Sequence, residues 1–171
     1  QRTKMANEAG GKLFISIHVN GVKNRSARGF ETWLLAPAKT EEAIEIAQRE
    51  NSVIALEESN HRYAEFTDEA LILSTMVQSV WLKESETLAA LIQEELGTRL
   101  DSPNRGVKQA DFFVLIGATM PNVLVEIGFL SNRIEEKKLG QSDYRQRIAE
   151  GILNAITAFK KQQEEAMAAN R

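Results

Sequence analysis

Two ionisable side chains stand at the ends of apolar segments, where polar residues are uncommon. His18 follows the segment 13–17, and Glu126 follows the segment 123–125. If both segments are parallel strands, their C-terminal ends meet at one edge of a sheet, where α/β proteins bind ligands. Imidazole is a zinc ligand and a carboxylate takes a proton from an attacking water, so the pair suits a metal hydrolase. The alternative is a core histidine and a glutamate paired with an arginine, because one His and one Glu are a weak signal.

The elements that must position this pair predict an α/β fold, a twisted and mainly parallel sheet with helices on both faces. Successive residues of a strand point to opposite faces of the sheet. A segment that is apolar at both odd and even positions is therefore typical of a strand covered on both faces. The sequence predicts strands at 12–18, 29–35, 112–116 and 123–126, and a turn at 103–106. Helical spacing of apolar residues predicts helices at 40–56, 67–97 and 143–161, and a short helix with a capping box of Asn132 and Glu135.

Composition excludes several classes of protein. The chain has 171 residues, 43% hydrophobic and 26% charged, which is typical of a single globular domain. Its net charge of -3 argues against nucleic acid as a partner, because neutralising phosphates needs a basic excess. The absence of cysteine excludes disulfides, thiolate zinc clusters and a cysteine nucleophile. Since no apolar run approaches the ~18 residues of a membrane span, we expect no membrane-spanning segment.

Short motifs surround the two candidate residues in a particular order. They are Ala6-Asn7, Ser-Ile-His-Val-Asn at 16–20, Gly-Phe-Glu-Thr at 29–32, Asn-Arg-Gly-Val-Lys at 104–108 and Leu-Val-Glu-Ile-Gly-Phe-Leu-Ser-Asn at 124–132. In this order they resemble the zinc-dependent N-acetylmuramoyl-L-alanine amidases, over about residues 2–160. The resemblance implies hydrolysis of the amide between N-acetylmuramic acid and the L-alanine of the peptidoglycan stem peptide. It also implies a location in the periplasm or the extracellular cell envelope of a bacterium.

The resemblance assigns roles to individual residues, and it also shows a gap. His18 matches a zinc ligand, and Glu126 matches the catalytic glutamate. The family's other two zinc ligands are a His in a Gly-His-Gly-Gly turn and a Glu on the following helix, and both precede the Ala-Asn motif. The only other histidine here is His61, in a polar segment. A catalytic zinc needs three protein ligands, so we interpret 2–160 as the C-terminal part of an amidase domain, inactive by itself, followed by a polar tail at 161–171. The alternative is a non-catalytic wall-binding or regulatory module on the same fold.

Residues 36–95 resemble the helical insertion found in amidases of bacterial cell division. In those proteins an inserted helix lies over the active site, gives a Glu to the zinc, and is moved by an activator protein. Matching the segment 47–51 to that helix nominates Glu50 as an inhibitory zinc contact, with Glu45 and Glu57 as rivals. The alternative is an ordinary helix with a solvated, charged face.

Five further polar residues near the motifs have both a functional and a structural interpretation. Arg105 and Lys108 could contact glycan or peptide carboxylates, or could be solvated cations of a turn. Asn20 and Asn132 could bind substrate or orient the site, or could cap local turns. Glu31 lies on a predicted strand, where we expect a buried or cross-strand ion pair.

Overall fold

The computed structural model describes residues 2–52 and 79–169. Helices and strands are mixed along the chain, which confirms the α/β class. The described helices are α1 (Arg2–Glu8), α2 (Glu41–Ser52), α3 (Leu82–Arg99), α4 (Arg133–Leu139) and α5 (Ser142–Ala169). The described strands are β1 (Phe14–Asn20), β2 (Phe30–Leu35), β3 (Asn104–Ala110) and β4 (Asn122–Phe129).

These four strands form one sheet in the order β1-β4-β2-β3. The Phe14 N–H donates to Pro121 O at 3.0 Å, and the Leu130 N–H donates to Asn20 O at 2.8 Å. Because these bonds join start to start and end to end, β1 and β4 run parallel. A similar pair of backbone bonds makes β2 and β3 parallel. The predicted, mainly parallel sheet is therefore confirmed, and β4 is an interior strand between β1 and β2.

Packing divides the described residues into two compact units, 2–16, 33–52, 79–85 and 108–124 in one, and 17–32, 86–107 and 125–169 in the other. In the first unit, Trp33 and Phe112 are fully buried, and their rings meet edge to face with centroids 5.3 Å apart. In the second unit, the fully buried side chains include Phe30, Leu96 and Phe129. Burying one side chain of this kind contributes about 1.5–3 kcal/mol, so each unit has a core of its own.

Residues 112–116 form no strand, and this prediction is wrong. Phe113–Leu115 is instead a single turn of 3-10 helix. Phe112 and Leu115 are buried three residues apart while Phe113 is 39% exposed, which is the spacing of a helical turn and not of an alternating strand. The side chain of Asn51, at the end of α2, accepts a hydrogen bond from the Phe113 N–H at 2.9 Å. A short apolar run does not distinguish these two outcomes by itself.

The turn predicted at 103–106 is also wrong, because β3 begins at Asn104. Gly106 has φ of 79°, a conformation that side-chain-bearing residues disfavour, which explains why the segment contains turn-type residues. Within the described sheet β3 is an outer strand that pairs with β2. An outer strand tolerates such an interruption better than an interior one, since only one of its edges is paired with another described strand.

The helices agree with prediction in kind, and differ at their ends. The α2 helix begins as predicted after Thr40, whose hydroxyl accepts a bond from the Ala43 N–H at 3.2 Å. Its predicted continuation to 56 and the first part of the helix predicted at 67–97 lie outside the described residues, as do Glu57 and His61. The last helix, α5, continues to Ala169. Across the described ranges, every helix is too short or too polar to cross a membrane.

Candidate metal and active site

His18 lies on β1, two residues before the strand ends, and it is half-buried. Alternation along a strand puts it on the same face as Ser16 and Asn20, which are 8% and 1% exposed. Ile17, on the opposite face, is 55% exposed. The covered face of β1 therefore carries hydrogen-bonding side chains around His18, whereas a packed core would need apolar ones.

Glu126 lies on β4 and is fully buried. The three residues before it, Val123 to Val125, are also fully buried, because β4 is an interior strand. Removing a carboxylate from water costs roughly several kcal/mol unless opposite charges or hydrogen bonds compensate it.

Two residues of the second unit could take part in a metal site: a ligand atom of His18 and one of Glu126 lie within 4.8 Å of each other. An imidazole is a donor that zinc takes in catalytic sites, and a carboxylate beside it can ligate the metal or move a proton. The chemistry of this pair fits a zinc centre. Glu50, on α2 in the first unit, is half-buried, and Glu45 on the same helix is exposed.

Asn20 and Arg105 meet at a third residue, Glu31. The Asn20 Nδ2 donates to Glu31 Oε1 at 3.2 Å, and the Arg105 Nε donates to Glu31 Oε2 at 2.7 Å. Glu31 is fully buried, and the Arg105 guanidinium also lies over the ring of Phe129, 5.2 Å from its centroid. The expected ion pair of Glu31 is confirmed, with Arg105 as its partner. Arg105, on β3, therefore contacts β2 through Glu31 and β4 through Phe129.

Lys108 lies in different surroundings from Arg105, although both are on β3. Its ammonium is 3.6 Å from the carboxylate of Glu42 and 5.2 Å from the ring centroid of Trp33. Such a contact joins α2 to β3 within the first unit and stabilises the position of the helix that carries Glu50.

Asn132 caps α4. Its Oδ1 accepts from the N–H groups of Ile134 at 2.9 Å and Glu135 at 3.4 Å, and its Nδ2 donates to the carbonyl of Arg25 at 3.2 Å. The predicted cap is thus present, but Glu135 does not complete a capping box, because the Asn132 N–H donates to Phe129 O. The cap holds the loop after β1 against the loop after β4.

Glu135 is a structural residue whose partners include groups far away along the chain. It is 2% exposed, and it accepts hydrogen bonds from the Gly29 N–H at 2.6 Å, the Ser102 hydroxyl at 2.6 Å and the Phe129 N–H at 2.8 Å. Gly29 has φ of 111°, and a Cβ there would lie 2.2 Å from Pro103 O. A glutamate three residues after a capping Asn is a helix-start signal in the sequence, but its distant partners leave no local trace.

Comparison with known proteins gives this geometry a family context. A family model described as N-acetylmuramoyl-L-alanine amidase matches residues 1–158. The N-acetylmuramoyl-L-alanine amidase AmiA of Salmonella typhimurium is 33% identical over 162 residues, covering 92% of this chain and 55% of that protein. The N-acetylmuramoyl-L-alanine amidase AmiC of Neisseria meningitidis is 35% identical over 150 residues, covering 86% of this chain and 35% of that protein. The chain therefore spans about half or less of the length of these relatives.

Solved structures share the fold. An N-acetylmuramoyl-L-alanine amidase from Clostridium difficile 630 superposes with a TM-score of 0.61 at 23% identity, covering 94% of this chain and 63% of that one. The CwlD amidase from Clostridioides difficile, solved in complex with the GerS lipoprotein, gives a TM-score of 0.62 at 25% identity, covering 94% of this chain and 60% of that one. Both matches include nearly all of the chain.

Proposed function

The chain belongs to the N-acetylmuramoyl-L-alanine amidase family, and from that membership we propose that its protein is a peptidoglycan hydrolase of the bacterial periplasm or outer cell envelope. The bond cut is the amide between N-acetylmuramic acid and the L-alanine of the stem peptide. One observation carries the proposal: within the second unit, a ligand atom of His18 and one of Glu126 lie within 4.8 Å of each other. In a chain of this family, such a pair supports metal-assisted hydrolysis of an amide.

We propose zinc as the metal and His18 as one of its ligands. When bound, zinc lowers the pKa of a coordinated water to about 7 and polarises a carbonyl group. Two further ligands, a His and a Glu, are proposed to lie upstream of this sequence in the full-length protein. For that reason we expect the 171-residue chain alone to hydrolyse little or no peptidoglycan.

Glu126 is the proposed general base and acid. Its carboxylate takes the proton of the water that attacks the amide carbon, and it gives this proton to the L-alanine nitrogen as the carbon–nitrogen bond breaks. The amine then leaves uncharged, and the carboxylate is regenerated. Complete burial of Glu126 supports this role, because bulk water is kept from competing for the proton.

Glu50 is the proposed inhibitory residue. It is half-buried at the C-terminal end of α2, and a carboxylate on the metal would occupy the position that the attacking water needs. Ile46 and Ala47, one turn earlier, are 1% and 4% exposed, and their packing holds the helix in place. An activator protein that displaces α2 would open the site. The CwlD amidase, solved with a lipoprotein partner, supports the idea that such amidases have protein partners.

The experiment uses the full-length protein, loaded with zinc and incubated with purified peptidoglycan. Amine labelling followed by mass spectrometry detects stem peptides with a new N-terminal L-alanine, which neither a glycosidase nor an endopeptidase would release. Glu126→Gln should retain zinc and reduce turnover by about 10²–10⁴-fold. His18→Ala should lose both zinc and turnover. As a matched control, Glu150→Gln on the exposed side of α5 should leave both unchanged.

Three results would contradict the proposal in different ways. Normal turnover by Glu126→Gln would mean that another group moves the proton. Unchanged zinc content in His18→Ala would remove His18 from the ligand set. Binding to peptidoglycan without any new L-alanine terminus would favour the non-catalytic wall-binding module.

A further inference from the structure

A basic cleft lies beyond the C-terminal ends of β1 and β4. It has a volume of about 390 Å³ and is lined by the loop after β1 and by the loop and first helical turn after β4. Its charged lining residues are Lys23, Arg25, Arg133 and Glu136. Three cations against one carboxylate make this cleft positive in a chain whose net charge is -3.

The three cations are accessible to a ligand. Lys23, Arg25 and Arg133 are all exposed. The ion pairs between described residues include none of the three. Like charges gathered in one cleft repel each other, and an anion relieves that repulsion. The charge distribution therefore points to a ligand with at least one negative group.

Hydrogen bonds hold the two walls of the cleft together. The carbonyl of Arg25 accepts a bond from Asn132 at 3.2 Å, and the Val22 N–H donates to the Ser131 hydroxyl at 3.2 Å. These bonds join the loop after β1 to the loop after β4. The backbone that carries the cations is therefore held in place before a ligand binds, which lowers the entropy cost of binding.

The cleft is at a suitable distance from the proposed reaction centre. Val22 follows His18 by four residues, so their backbones are at most about 14 Å apart. A bound peptide in extended form covers roughly 3.3–3.6 Å per residue, so its second to fourth residues would reach the cleft. Leu130, which is 55% exposed, and the half-buried Val22 give the cleft apolar walls that suit an aliphatic side chain leading to a carboxylate.

We propose that this cleft binds a carboxylate of the stem peptide, on the L-alanine side of the amide that is cut, and that Arg25 and Arg133 select acidic peptides. The choice of a peptide as ligand rests on the proposed amidase function. The cleft is a specificity site, and it takes no part in moving protons.

The test measures binding separately from turnover, in the full-length protein carrying Glu126→Gln together with Glu50→Ala, which removes the proposed inhibitory carboxylate. The ligands are N-acetylmuramoyl-L-alanyl-D-glutamate and its diamide, titrated by calorimetry at low and high salt. We expect the acid to bind about five-fold more tightly than the diamide at low salt, and high salt to remove the difference. Adding Arg25→Glu and Arg133→Glu should lower the affinity for the acid by roughly ten-fold or more and leave the affinity for the diamide unchanged. Glu136→Gln should instead raise the affinity for the acid, because it removes a negative charge that repels the ligand carboxylate.

A matched control reverses two cations elsewhere. Lys160→Glu and Lys161→Glu make the same change of net charge on the exposed end of α5, and should leave the acid's preference intact. Circular dichroism confirms that each variant is folded. Equal affinity for acid and diamide, a preference that survives the Arg25 and Arg133 changes, or no binding of either ligand at millimolar concentration would overturn the proposal. Binding of inorganic phosphate or a glycerol phosphate polymer through the same residues, with no peptide preference, would overturn it in favour of a phosphate ligand.

Failure of this inference can be distinguished from failure of the proposed function. If the enzyme releases L-alanine termini but binds acid and diamide equally well, the proposed amidase function is supported and the proposed role of the cleft is refuted. If the protein binds the acidic peptide through Arg25 and Arg133 but releases no L-alanine terminus, the proposed role of the cleft is supported and the proposed amidase function is refuted.

Discussion

Replacing Glu135 by glutamine tests how strongly one buried carboxylate stabilises the strand ends near the site. Both its oxygens are used: Oε1 accepts from the Gly29 N–H and the Ser102 hydroxyl, and Oε2 accepts from the Phe129 N–H. Glutamine is close in shape, but it has a single oxygen. If that oxygen takes the Oε1 position, the amide nitrogen faces the Phe129 N–H, donor against donor.

The magnitude follows from these three bonds. A hydrogen bond to a charged group contributes about 1.5–3 kcal/mol, and a buried donor left unpaired costs about 1–3 kcal/mol. Glutamine loses one bond outright and converts two from charged to neutral. We therefore expect the free energy of unfolding to fall by about 2–4 kcal/mol. Glu135→Ala leaves all three donors without this acceptor, and should cost about 4–5 kcal/mol.

Urea unfolding followed by far-ultraviolet circular dichroism measures both effects. The midpoint should fall while the slope stays constant, which indicates a change in stability and not in the denatured state. Glu136→Gln is the matched control, because Glu136 is the next residue on the same helical turn and is exposed; its effect should be within about 0.5 kcal/mol. If Glu135→Gln is no more destabilised than Glu136→Gln, the three bonds only offset the cost of burying the carboxylate, and the reasoning is refuted.

Two further predictions concern alkaline stability and regulation. Burial raises the pKa of Tyr144, against the opposing effect of a hydrogen bond with Ser102. The folded state therefore holds the phenol proton more tightly, and this stabilisation is complete below the unfolded pKa of about 10 and is lost as the pH rises through the folded value. Tyr144→Phe should show a shallower fall in unfolding free energy above pH 10, and a fall as steep as that of the unmodified protein would disprove the assignment. In the full-length protein, Glu50→Ala should raise basal peptidoglycan hydrolysis several-fold. Glu45→Ala, the exposed control on α2, should not raise it. Equal basal activity of the two variants would mean that α2 has a structural role and no inhibitory one.

Residues that depend on their immediate neighbours were predictable from the sequence. The cap at Asn132 was recognisable because capping is a contact over two or three residues. Thr40 at the start of α2 is recognisable for the same reason. His18 and Glu126 were nominated because each follows an apolar run, and their roles stay predictions.

Features that depend on distant partners were not predictable. Glu135 has a partner, Gly29, that lies 106 residues away along the chain. The segment 112–116 has an apolar composition that suits a strand, yet the buried pair Phe112 and Leu115 and the amide of Asn51 determine a 3-10 turn. Burial on β1 is a similar case, because Ile17 is exposed while Asn20 is buried, the reverse of what hydrophobicity alone predicts.

The position of β4 between β1 and β2 has a consequence for how the protein is made. Roughly 90 residues separate β2 from β4, and loops of that length close slowly because their ends must find each other by diffusion. A ribosome adds about 5–20 residues per second, so β1 and β2 emerge several seconds before the strand that joins them. During that interval the edges of β1 and β2 that will pair with β4 are open to pairing with other chains. The glutamate proposed for catalysis arrives on that last strand, so the site cannot assemble until synthesis of the sheet is complete.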